Sequence, residues 1–141
     1  MSSYFQALDK NSKERYQQKL ELAGISLNDD PYSPDRSGEW SSDVRYWPKI
    51  EYGDIFSYFI SRPGTFTLQQ LTSWRQLEAY NYFKNNHVRT VFSSTCDAGR
   101  CVVLKAKVNP SQRAPDLANE AWIIVRKDGT IVSAHCTCKA G

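Results

Sequence analysis

The chain has 141 residues, is 40 % apolar and contains 4 Trp, 8 Tyr and 6 Phe. That supply of core residues suits one folded domain and excludes a disordered polymer. Net charge is only +3, and no apolar run nears the ~18 residues of a membrane span and no basic-then-apolar leader opens the chain, so neither a spanning protein nor a secretory signal is expected.

The charge is unevenly distributed. Residues 1–83 carry nine Lys/Arg against eleven Asp/Glu, whereas residues 84–141 carry nine against four, so the C-terminal part is +5 and the N-terminal part −2. A basic segment attracts phosphates or acidic partners, and the plainer alternative is a solvated sheet face. The expected compartment is intracellular, the nucleus ahead of the cytoplasm. There the four cysteines suit metal binding or simple burial better than disulfides.

In chain order, Ser12 can cap a helix to about Ala23, with Tyr16, Leu20 and Ala23 on one face and Gly24 as a left-handed stop. This gives an N-terminal helical segment over 1–25. Residues 26–50 are rich in Asp, Ser, Pro and Gly and read as an irregular connection in which Trp40, Tyr46 and Trp47 anchor the loop to a core.

A helical pair is expected over 51–86. Tyr52, Ile55, Phe56 and Phe59 form one apolar stripe, and Thr67 with Gln70 makes a capping box for a helix from Leu68 to about Lys84. That second helix has apolar residues on two sides and should be sandwiched between neighbours.

Beyond His87 the period becomes two. Val88 to Ser93 and Cys101 to Val108 read as strands joined by Asp97-Ala98-Gly99-Arg100, and Ala121 to Arg126 and Thr130 to Cys136 read as a second hairpin around Asp128-Gly129. The predicted class is therefore α+β, N-terminal helices followed by an antiparallel sheet of two β-hairpins over 87–141.

The chemistry concentrates at His135-Cys136-Thr137-Cys138. A structural zinc takes four ligands in a tetrahedron with Zn–S near ~2.3 Å, so Cys136 and Cys138 make half a site. Residues i and i+2 of a strand lie ~6.6–6.8 Å apart, while thiolates sharing a zinc are roughly 3.8 Å apart, so the backbone must bend at Thr137. Cys96 and Cys101 flank a hairpin loop. They either complete an all-thiolate site with the other pair, or are buried side chains, or form a cross-strand disulfide under oxidising conditions. His135 alternates away from Cys136 and reads as a surface residue, and His87 as a loop or cap residue.

The run from Ala121 through Gly141, with its hairpin followed by Cys136-Thr137-Cys138, resembles the start of a SWIM-type zinc finger. That family's pattern is Cys-x-Cys, a spacer, then Cys-x-His at the start of a helix. More narrowly, Leu77 to Phe83 and Val108 to Arg113, with the upstream Trp-bearing loop, resemble animal SWIM proteins, some of which continue into a nuclease domain of the YqaJ viral-recombinase type. The resemblance implies zinc as cofactor, Cys136 and Cys138 as ligands, and DNA or a protein as partner. It also implies that this chain is a fragment without the second Cys-x-His pair.

No nucleophile elbow, phosphate loop or His-Glu-x-x-His helix occurs, and the acids Asp29, Asp30, Asp35, Glu39 and Asp43 crowd a loop without rigid support, so no enzyme and no small-molecule substrate are expected. For nucleic acid, Arg89, Lys105 and Lys107 fall on outward faces of the first hairpin, with Lys84, Arg100 and Arg113 at its border. The leading expectation is a non-enzymatic, zinc-associated module binding DNA or protein. The alternative is a metal-free α+β accessory or protein-interaction domain of a larger nuclease or transposon-derived protein.

Overall fold

The computed structural model describes residues 2–36, 38–50, 88–97, 99–109 and 118–138. The expected helical pair at 51–86, together with Lys84, His87 and Arg113, lies outside the described residues. The described chain is α+β: helices α1 (Ser3–Ala7) and α2 (Lys10–Leu22), then strands β1 (Phe92–Cys96), β2 (Cys101–Val108), β3 (Asn119–Arg126) and β4 (Ile131–Cys136). The strands form one antiparallel sheet in the order β1-β2-β3-β4.

Helix α2 begins one turn earlier than expected. Asp9, not Ser12, is its cap, accepting a hydrogen bond from the Ser12 amide at 2.8 Å. Both residue types suit the cap, and the earlier one also lets the Ser12 hydroxyl donate to Asp9 at 3.1 Å. The helix ends as expected, at Gly24 with φ +70. A Cβ there would lie only in ordinary contact with Asp97, so the constraint is backbone conformation rather than space. Gly24→Ala is therefore expected to lower stability by about 1 kcal/mol, read as a lower urea midpoint with unchanged slope.

Tyr16, Leu20 and Ala23 are buried as their spacing predicts, and with Phe5 and Ile25 they pack on Cys96, Cys101, Val103, Trp122 and Ile124 of the sheet. Strand alternation decides which residues meet the helices. Val103, Ile124 and Ser133 lie in one cross-strand row, and Lys105, Trp122 and His135 in the next.

The connection over 26–50 holds two 3-10 turns, Leu27–Asp29 and Val44–Tyr46, and is pinned rather than loose. The buried Arg36 side chain donates to the Asp29 carbonyl (3.1 Å), the Ser94 hydroxyl (2.5 Å) and the Thr95 carbonyl (2.8 Å). Ser41 bridges Ser93 on the outer side of β1 through hydrogen bonds of 2.9 and 2.8 Å. Of the three expected anchors, Trp40 packs against the core, whereas Tyr46 and Trp47 are 64 % and 39 % exposed.

The expected strand from Val88 to Ser93 moves toward the turn, to Phe92–Cys96, leaving Val88 as an isolated bridge to Val108. Alternation of apolar residues selects Val88, Thr90 and Phe92. The strand instead buries Ser93 and Ser94, because Ser41 and Arg36 satisfy them from a distant part of the chain.

Candidate functional site

Cys136 closes β4 opposite Ala121, and Thr137 and Cys138 form a bend beyond it. Thr137 fixes the bend to the start of β3: its amide donates to the Glu120 carbonyl at 3.0 Å, and its hydroxyl accepts from the Glu120 amide at 3.0 Å. The middle residue of Cys-Thr-Cys thereby orients its neighbours. Cys136 and Cys138 flank Thr137 and are both partly buried. Burial first, with Cys138 beside it, holds the Cys136 thiol above its usual range. A metal ion would reverse that balance by taking the place of the proton.

Cys96 and Cys101 are also paired, as Cα partners across β1 and β2, but both are buried. Burial, with Cys101 beside it, pushes the Cys96 thiol up to about 12. The two cysteine pairs are not brought together. Cys101 lies opposite Arg126 and Cys136 opposite Ala121, five residues apart along β3, roughly 17 Å at ~3.3 Å per residue. Among the described residues, no three His, Cys, Asp or Glu side chains gather where they could hold a metal.

His135 turns away from Cys136 as expected, yet it is not a surface residue. Its Nε2 pairs with the Tyr4 hydroxyl at 2.7 Å and its Nδ1 with Lys19 Nζ at 2.8 Å. An ammonium can only donate, so Nδ1 accepts, and Nε2 carries the hydrogen of the neutral ring. Burial, then the Lys19 charge, brings the imidazole down to about 4. It packs edge-on to Tyr16 at 4.7 Å between centroids. The ring is part of the structure beneath the bend.

Behind it lies a polar cluster that the sequence reading missed. Asp30 is fully buried and accepts hydrogen bonds from Ser2 Oγ (2.6 Å), the Tyr16 hydroxyl and the Tyr32 amide (3.0 Å). Tyr32 in turn donates to the Glu120 carbonyl at 2.7 Å. The connection is thus tied to the same β3 residue that holds Thr137. Burial first, then neighbouring acidic groups, raises the phenols of Tyr16 and Tyr32 far above their ordinary range, so both stay neutral donors. The signal available in sequence was the Asp-Pro-Tyr turn at Asp30, which appeared as a solvated acidic loop.

The basic residues divide into two groups. Lys105 is not on an outward, solvated face. Its Nζ lies 4.3 Å from the Trp40 ring centroid and donates to the Pro31 carbonyl at 2.9 Å, and burial lowers its pKa from the usual lysine value. Lys107, two residues on, is exposed. Arg89 is half-buried, its Nε donating to Asn109 Oδ1 at 2.7 Å and its amide to the Lys107 carbonyl at 2.9 Å. Arg100 pairs with Asp97 at 3.5 Å beside the β1–β2 turn. Arg89, Lys105 and Lys107 line one cleft of about 540 Å³ together with Trp40, Phe92 and Glu120.

The chain matches none of the protein-family models, curated proteins or solved structures with which it was compared. Among the described residues, no helix is long and apolar enough to cross a membrane.

Proposed function

We propose that this chain is a non-enzymatic interaction module in which Cys136 and Cys138 form one arm of a zinc site, and that the completed module binds nucleic acid or protein. One observation carries the reading: Cys136 and Cys138 flank Thr137 on a bend that Thr137 anchors to β3 through both its amide and its hydroxyl. A strand continuing straight would hold their positions ~6.6 Å or more apart. The sequence resemblance to a SWIM-type finger agrees with this, and the remaining two ligands come from outside the described residues.

Cobalt(II) titration tests the reading, since thiolate ligands give a strong ultraviolet charge-transfer band. With cobalt in excess and water filling the remaining positions, the two thiolates are expected to give the band in the unmodified chain and in Cys96→Ser/Cys101→Ser, and it is expected to vanish in Cys136→Ser/Cys138→Ser. Its absence from the unmodified chain, with circular dichroism still showing a folded protein, would favour the metal-free accessory domain instead. Persistence of the band in Cys136→Ser/Cys138→Ser would move the metal to other residues.

A further inference from the structure

From the cleft between Trp40 and the first hairpin we infer a site for an unpaired nucleotide of single-stranded nucleic acid, its base stacked on Phe92 and its phosphate held by Lys107 and Arg89. The inference rests on the nucleic-acid half of the function proposed above and is independent of the metal. The sheet register sets the geometry. Phe92 lies opposite Lys105, and Lys107 opposite Glu120, on the same face of the sheet. Phe92 and Lys107 are thus diagonal neighbours, with Cα atoms ~7–8 Å apart.

Phe92 is a large aromatic side chain left 41 % exposed at the cleft. Trp40 is a fixed wall rather than a second platform: Lys105 Nζ lies 4.3 Å and Arg36 Cζ 5.0 Å from its ring centroid. An aromatic surface with cations at its rim is what a base and its phosphate require. Glu120, on the other side of Lys107, would repel a second phosphate but accept a hydrogen bond from an amino group of the base. The volume of about 540 Å³ suits a nucleotide-sized ligand. A duplex keeps its bases stacked on each other and offers none to Phe92. A polymer fits better than a free nucleotide because Arg89 and Lys107 belong to a basic segment, at +5 over residues 84–141, whose charge favours additional phosphates.

Fluorescence anisotropy with a labelled, mixed-sequence single-stranded oligodeoxynucleotide at low salt provides the test, with matching duplex and free nucleoside monophosphates as competitors. Binding is expected to weaken about tenfold in Phe92→Ala. Lys107→Gln should weaken it as well and reduce the salt slope by about 0.7. Circular dichroism should show both exposed-residue variants folded. Binding that is unchanged in Phe92→Ala and Lys107→Gln would overturn the cleft while leaving nucleic-acid binding in place. Equal competition by duplex or by monophosphates would overturn the choice of a single strand. No binding at all at low salt would remove the cleft and the nucleic-acid reading together, whatever the cobalt titration gives.

Discussion

Trp122→Ala is expected to lower the free energy of unfolding by about 3–5 kcal/mol, a large share of the ~5–15 kcal/mol available to a domain. Trp122 is 1 % exposed at the centre of the sheet face covered by α2. Its ring lies edge-on to Tyr16 at 6.1 Å, its centroid is 6.0 Å from that of His135, and its Nε1 donates to the Tyr16 hydroxyl at 3.3 Å. Truncation removes the apolar surface, leaves a cavity next to the α2–β4 contact and strips a donor from Tyr16. Trp122→Phe should cost much less, because most of the volume stays. Urea unfolding followed by far-ultraviolet circular dichroism checks both. A loss below about 1 kcal/mol in Trp122→Ala would mean that the helices do not depend on this face of the sheet.

Asp30→Ala is expected to cost about 3 kcal/mol or more, through hydrogen bonds rather than volume. Removing the carboxyl group leaves the Ser2 and Tyr16 hydroxyls and the Tyr32 amide without their acceptor in a closed space. Each orphaned donor costs about 1–3 kcal/mol, partly relieved if water enters. Tyr16→Phe should cost less, and the pair should be clearly non-additive because the two residues share one bond. Additive losses in that cycle would disprove the shared network. Because Tyr32 also holds Glu120, Asp30→Ala should loosen the Thr137 bend, so its cobalt affinity should drop even where the protein remains folded.

The elements most legible in sequence were those fixed by local periodicity and turn chemistry. Cys101–Val108 emerges with the expected bounds, and the second hairpin turns at Lys127-Asp128-Gly129 with Gly129 at φ +97. Helix α1 falls within the expected helical segment over 1–25, but its five residues are too few to show a period of their own. Lys105 and His135 were misjudged for one shared reason. Alternation puts them on the face opposite Val102 and Cys136, but it cannot show that α1, α2 and the connection lie over that face. At the candidate site, the pair of thiols and the bend at Thr137 were legible. The buried support beneath it was not, because Asp30, Arg36 and Tyr32 resemble ordinary loop residues until their distant partners are known.

Strand β1 lies at the margin of the sheet, where unpaired peptide groups would invite another chain to extend it. Here that margin is sealed from within. Ser41 occupies both peptide groups of Ser93, and Arg36 takes the Thr95 carbonyl. A peptide cannot dock on β1 by strand addition without first displacing the connection, and two copies cannot fuse their sheets there. The connection over 26–50 thus closes the β1 edge of the sheet to strand addition.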